Sequence, residues 1–269
     1  MSANNLEYLK ALEIDVWVPR EAPSDQQDVV AVNVESQSPQ VIAAATTAST
    51  IGETESAYLP SETIEPEQKV TPSYGVSTFN WQELEQAVNN CSLCELAQSR
   101  TQTVFGVGNQ KADLLIIGEA PGADEDRQGE PFVGKAGQLL NAMLKAIGFA
   151  RNEVYIANIL KCRPPNNRDP KADEAQLCAS YLQRQIELIQ PKLILALGRI
   201  AAQRLLDSST TLARMRGQVF HLESNNTPVM VTYHPAYLLR SPAEKAKSWD
   251  DLKACKRFIV AANHRSKVL

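Results

Sequence analysis

Four short apolar runs constrain this chain more than any other feature. They are ADLLII (112–117), VYIANI (154–159), LILAL (193–197) and PVMVT (228–232). Each is strand-length, and between them lie segments with helical spacing. Gly134–Gly148 is one such segment. Pro170–Ile189 is another, opened by a proline and followed by Pro191. Gly198–Leu206 is a third, and further helices are read around Trp81–Asn89 and over Trp249–Ala262. Strands alternating with helices imply an α/β domain whose parallel sheet is covered on both faces. Ligands of such sheets sit at the carboxyl ends of the strands, and the unusual residues of this chain cluster there.

The chain of 269 residues has room for one or two domains, and its 43% hydrophobic and 22% charged residues are ordinary globular usage. That excludes a wholly disordered chain, a collagen repeat and a disulfide-packed miniprotein. Its charge is unevenly spread. Residues 1–75 hold 12 acids and 3 bases, whereas residues 76–269 hold 19 acids and 24 bases. An acidic arm therefore precedes a basic domain compatible with nucleic acid. Residues 22–76, rich in Ser, Thr, Ala, Gln, Glu and Pro, read as a disordered linker, and the globular domain as 77–269. Ahead of the linker, residues 1–21 carry Leu6, Leu9, Leu12 and Trp17 at a spacing that gives a short apolar helical face. It either docks on its own domain, or does nothing specific, or serves as a partner-docking peptide. No run of 18 apolar residues and no basic, apolar leader is visible, so the expected compartment is the cytoplasm, with its five cysteines reduced.

The first strand runs into G-E-A-P-G-A-D-E-D (118–126) and R-Q-G-E-P-F-V-G (127–134). Glycine and proline permit a tight turn close to a ligand. The carboxylates that follow suit either a solvated turn or a Mg²⁺ site, and Phe132 either core or a platform for a flat ring. The second strand ends in Y-I-A-N-I-L-K-C-R-P-P-N-N-R (155–168). The Asn158 amide offers a donor and an acceptor to a base edge, while Arg163 and Arg168 suit phosphate or plain solvent. The fourth strand ends in H-P-A-Y-L-L-R (234–240), read as a loop. His234 is one of three histidines, and Leu238 and Leu239 suit either core or a wedge into a base stack. Cys91-x-x-Cys94, Cys162 and Cys178 form a set of four that fits zinc or a [4Fe–4S] cluster. Cys255, within the last helix, reads as a small buried hydrophobe.

Across residues 78–262 these blocks, in this order and with the cysteines interleaved, resemble the family 4 (iron–sulfur) branch of the uracil-DNA glycosylase superfamily. The resemblance implies a three-layer α/β/α sandwich with a central four-stranded parallel sheet, and a [4Fe–4S] cluster on Cys91, Cys94, Cys162 and Cys178. It implies a monofunctional enzyme that flips uracil out of DNA, hydrolyses its N-glycosidic bond and starts base excision repair. Phe132 is then expected to stack on uracil and Asn158 to read its edge. Gly118, Ala120 and Gly122 approach the base together with Glu119, and His234 donates to a uracil oxygen as charge develops on the leaving base. Glu125 is expected to position water or, preferably, to brace Asn167 across the pocket mouth. Leu238 or Leu239 fills the gap in the duplex, and Lys135, Arg163, Arg168 and Arg240 contact phosphates. No histidine stands in Arg163–Pro170, so turnover rather than self-trapping on abasic DNA is expected. Residues 6–20 also look like the amino-terminal peptide of the bacterial clamp-loader psi subunit, which implies docking of residues 5–20 on the chi subunit. The competing readings are a glycosylase of altered base specificity and a DNA-binding adaptor without catalysis.

Overall fold

The computed structural model describes residues 75–265. The docking peptide expected at 1–21, and all of the 22–76 linker except its last two residues, lie outside the described residues.

Helix α1 (Trp81–Asn89) opens the domain. Its start is set by a reciprocal cap, in which Asn80 Oδ1 accepts from the Glu83 amide at 3.0 Å and the Glu83 carboxylate accepts from the Asn80 amide at 2.8 Å. A short helix α2 (Leu96–Ser99) and strands β1 (Val107–Gly108) and β2 (Leu114–Gly118) follow. Next come α3 (Ala123–Gln128), α4 (Lys135–Ala146), β3 (Tyr155–Asn158), α5 (Ala172–Ile189), β4 (Leu193–Leu197) and α6 (Arg199–Leu205). The chain closes with α7 (Leu212–Met215), β5 (Phe220–His221), β6 (Pro228–Thr232), α8 (Pro235–Arg240) and α9 (Lys245–Arg265).

The sheet runs β1-β3-β2-β4-β6-β5. Its four central strands are parallel, as expected, and two-residue antiparallel strands extend it at either edge. Those edges have no apolar run of their own and exist because β3 and β6 leave backbone groups to be paired. Successive strand residues face opposite layers. Leu115 and Ile117 of β2 join Ile194, Ala196 and Val231 against Leu182 and Ile186 of α5. Leu114 and Ile116 join Leu193, Leu195 and Met230 against Leu140 and Leu144 of α4 and Leu252 and Cys255 of α9. The result is the expected sandwich, with Cys255 in its core. A smaller cluster, including Leu84, Val88 and Tyr181, seats α1 on α5.

Two segments expected as loops are short helices. The acidic stretch after β2 is α3, whose first turn holds Asp124, Glu125 and Asp126. Carboxylates favour the positive end of a helix, so this cluster is explained without a metal. The stretch after His234 is α8, with His234 at its cap and Pro235 at its first position. Among the described residues no helix is long and apolar enough to cross a membrane.

Candidate active site

The pairing of β2 with β3 sets Gly118 opposite Asn158. The zipper continues past both strands, with Ile159 donating to Gly118 O at 3.0 Å and Leu160 to Glu119 O at 3.1 Å. Asn158 is 2% exposed, and its Oδ1 has no hydrogen-bond partner. A Cβ on residue 118 would stand 2.4 Å from that oxygen and 2.6 Å from the Phe132 ring. Only glycine lets the amide and the ring converge there.

Phe132 has φ of 55°, costly for a bulky residue. The segment is held from both sides. Arg151 donates to the carbonyl of Pro131 at 2.6 Å and to that of Phe132 at 3.4 Å. Glu125 accepts from the amides of Val133 at 2.9 Å and Gly134 at 3.1 Å with one oxygen, and from Gly122 at 3.1 Å with the other. Gly137 leaves room for the Phe132 carbonyl, which a Cβ there would meet at 1.8 Å. The backbone is thereby over-determined, and the ring lies 5.5 Å from that of His234 with 31° between planes.

His234 Nδ1 accepts from the Ala236 amide at 3.1 Å. The ring proton therefore sits on Nε2, which becomes a donor. Burial, with Arg240 adding to it and Glu125 opposing, pushes the imidazole down to about 4, so it is neutral at neutral pH. Glu119 is shifted the other way. Burial first, then repulsion from Asp169, raises its carboxyl to about 7 against the pull of Arg199. Asp169 and Arg199 form an ion pair at 3.0 Å.

These groups share a cavity of about 420 Å³ at the carboxyl ends of the strands. Glu119, Ala120, Gly122, Glu125, Phe132, Asn158, Arg168, His234 and Arg240 line it, and Gly118 adjoins it behind Asn158 and Phe132. Lys135, Arg163 and Leu239 are not on its walls. Lys135 is exposed at the start of α4. Arg163 donates to Asn167 Oδ1 at 2.8 Å, so the partner of Asn167 is Arg163 and not Glu125, whose oxygens are engaged by backbone. Arg168 closes bidentately on buried Glu174 at 2.9 and 2.5 Å and ties the loop to α5. Leu238 corrects a second expectation. It is 1% exposed and packed with Leu139 and Leu252 in the core, whereas Leu239 is 42% exposed. Within the turn of α8 only one of two adjacent leucines can face the sheet, and it is Leu238.

The sequence reading missed two residues. Tyr237 lines the cavity. Its signal was available, because a proline after a capping histidine starts a helix, and three residues on returns to the side of the cap. Arg151 had no signal separating it from a surface arginine.

The four cysteines sit on three segments, Cys91 and Cys94 between α1 and α2, Cys162 after β3 and Cys178 in α5. They line one small, largely apolar cavity beside Lys161 and Tyr181. Arg100 donates to Cys162 Sγ at 3.0 Å and to the Cys91 carbonyl at 2.7 Å. Burial pushes the Cys178 thiol up to about 12, against the attraction of Lys161. Among the described residues no group of three or more His, Cys, Asp or Glu is arranged to hold a metal ion as it stands.

A family model for the uracil DNA glycosylase superfamily matches residues 105–253. The type-4 uracil-DNA glycosylase of Archaeoglobus fulgidus is 45% identical over 177 residues, covering 64% of this chain and 89% of the relative. That of Sulfurisphaera tokodaii is 41% identical over 186 residues, with 66% and 84% covered. That of Thermotoga maritima is 38% identical over 179 residues, with 65% and 93% covered.

Proposed function

Because the chain belongs to the uracil DNA glycosylase superfamily, and within it to the type-4 uracil-DNA glycosylases, we propose that it excises uracil from DNA, leaves an abasic site and starts base excision repair. The observation that carries this reading is the unpartnered Asn158 Oδ1, buried in the cavity. A buried acceptor without a partner is costly, and the imide N3–H of uracil supplies the missing donor. The Asn158 amide NH₂ then serves the neighbouring uracil oxygen. Cytosine presents an acceptor and a donor in those places, so it leaves both amide groups mismatched.

The uracil is turned out of the stack and lies on Phe132, whose ring the Glu125 and Arg151 contacts hold in place. Water adds to the sugar carbon as the C–N bond breaks, and the bonding pair leaves with the base. Negative charge grows on the uracil oxygens. The His234 Nε2–H meets that charge as a neutral, preoriented donor, an effect worth about 3 kcal/mol for one such donor. Glu119, with its carboxyl raised to about 7, accepts a hydrogen bond from the attacking water and takes the proton that the water gives up. Glu125 acts by holding Phe132, because its acceptors are already taken. Arg240 at the cavity and Lys135 on the exposed start of α4 meet the phosphates of uracil-containing DNA.

Cys91, Cys94, Cys162 and Cys178 would hold the [4Fe–4S] cluster. The support is that they wall one cavity and that Arg100 and Lys161 bring positive charge to it, which suits four thiolates. The cluster, when bound, supplies a four-point tie between the segment before α2, the end of β3 and α5. Docking of residues 5–20 on the clamp-loader chi subunit and a cytoplasmic location complete the proposal. They rest on the sequence, and failure of a chi pull-down at micromolar concentration ends the former.

The test is release of free uracil from single-stranded and duplex oligonucleotides. Wild type should release it, and His234→Ala should lose about 10²–10³ in kcat. Asn158→Ala should fall as steeply. A cluster-loaded wild type that releases hypoxanthine or a damaged pyrimidine but not uracil, or no base at all, overturns the reading.

A further inference from the structure

Beside the uracil cavity the structure carries an aromatic feature that uracil recognition does not use. Tyr237 lines the cavity yet is 37% exposed. Its ring is pinned. Tyr233 lies 5.1 Å away with 32° between planes, and the Arg216 guanidinium stands 4.5 Å from the Tyr233 centroid. Arg216 is itself fixed to buried Asp251 at 2.7 and 3.1 Å, with a further bond to the Lys247 carbonyl at 2.6 Å. Asp251 also accepts from Thr232 at the end of β6 at 2.7 Å. A line of contacts thus runs from the sheet through a carboxylate, a guanidinium and one tyrosine to a second tyrosine at the rim.

Tyr237 is preoriented by that stack and tied to the catalytic turn, since its amide donates to the His234 carbonyl at 2.9 Å. Turning a nucleotide into the cavity strips one stacking partner from each base beside it on the strand. An aromatic face at the rim is the chemistry that replaces such a partner, and it does so for any base because every base has a π face.

We propose that Tyr237 is a stacking platform for the base adjacent to the extruded deoxyuridine on the same strand, so that the enzyme recognises a dinucleotide rather than an isolated uracil. This rests on the uracil-excision reading and adds a second base subsite to it. The platform costs nothing to order because the Tyr233–Arg216–Asp251 line holds it in place beforehand.

The test uses the full-length, cluster-loaded enzyme and single-stranded oligonucleotides, which have no opposite base to confuse the result. Three substrates carry one uracil flanked by normal bases, by an abasic spacer on the 5′ side, or by one on the 3′ side. For wild type, one of the spacers should lower kcat/KM by about tenfold, the scale of one base–aromatic stack. Tyr237→Ala should lose that factor on the normal substrate and be indifferent to both spacers. Tyr237→Phe should restore the dependence. A 2-aminopurine at the sensitive position should be quenched on binding to wild type and Tyr237→Phe but not to Tyr237→Ala. If wild type ignores both spacers, or if Tyr237→Ala retains the dependence, the platform does not exist although uracil excision stands. If wild type releases no uracil from any substrate, the underlying reading fails instead.

Discussion

Lys161 Nζ donates to the main-chain carbonyl of Asn158 at 3.1 Å. The same ammonium donates to Phe105 O at 3.2 Å and Gln185 Oε1 at 2.6 Å, and the lysine is 1% exposed. Burial lowers it only to about 8, so it stays charged at neutral pH. It fastens the strand end that carries Asn158 to α5 and to the chain before β1, and it adjoins Cys162. Lys161→Met removes a donor from three buried acceptors, of which Phe105 O keeps the Gln185 side-chain amide at 3.0 Å, and each acceptor left unpaired costs about 1–3 kcal/mol. The denaturation midpoint should therefore fall well below wild type, and KM for uracil DNA should rise. Equilibrium unfolding in urea and steady-state kinetics on the same preparation check both. Unchanged stability would show that the three bonds are replaced by water.

Glu125 is a structural carboxylate for the Phe132 turn. Glu125→Gln keeps one acceptor oxygen but puts an NH₂ against a backbone amide, losing about 1.5–3 kcal/mol of charge-assisted bonding. The expected outcome is weaker inhibition by free uracil and a raised KM, with the pH dependence of kcat unaltered. A general base would behave differently, since its removal would abolish the pH limb and leave uracil binding intact. Competitive inhibition constants and a pH profile of the variant separate the two.

Glu119 and His234 of the cavity are shifted with opposite signs. Glu119 has a folded-state pKa of about 7, above its ordinary 4.5. The native state holds its proton more tightly than the unfolded chain, so its stabilising contribution is present below 4.5 and is lost as pH rises through 7. His234 has a folded-state pKa of about 4, below its ordinary 6.5. Its contribution is present above 6.5 and is lost as pH falls through 4. Activity should accordingly climb with pH through about 7 as the Glu119 carboxylate forms, with no histidine limb near 6.5. Glu119→Gln should flatten the climb and lower the plateau. A log kcat/KM profile from pH 5 to 9 reads this directly, and a limb near 7 that persists in Glu119→Gln assigns it to another group.

Adjacent leucines should divide fold from function. Leu238→Ala removes a core side chain and should cost about 2–5 kcal/mol of stability. Leu239→Ala should leave the melting temperature within a degree or two and weaken excision from duplex more than from single strands, as expected of a side chain that fills the vacated stack. Thermal melts and paired kinetics on the two substrates check this. Equal losses on both substrates would mean that Leu239 touches DNA without entering the stack.

The parallel core of the fold was legible because its strands are short continuous apolar runs alternating with helical segments, the pattern of a sheet buried on both faces. The Val107–Gly108 and Phe220–His221 edges were not, because a two-residue strand has no period and is created by its neighbour's unpaired backbone. Asn158, Phe132 and His234 could be picked out as polar or aromatic oddities beside strand ends. What could not be picked out was the division of labour among like residues. Arg168 and Arg240 look alike in the chain and both line the cavity, yet Arg168 is locked to Glu174. Leu238 and Leu239 differ only by the rotation of one helical step. Arg151 matters through two carbonyls, and a carbonyl is the same at every position of a sequence.

Gly118 gives the site an asymmetric mutational future. Beneath Asn158 and Phe132 the wall is main chain already stripped to hydrogen, with the would-be Cβ 2.4 Å from Asn158 Oδ1. Nothing there can be trimmed further, so no substitution at this position can deepen the recess to admit a bulkier base. Every substitution can only fill it. Drift at residue 118 therefore runs toward a narrower or inactive enzyme, and any widening of substrate range must arise at a wall built of side chains.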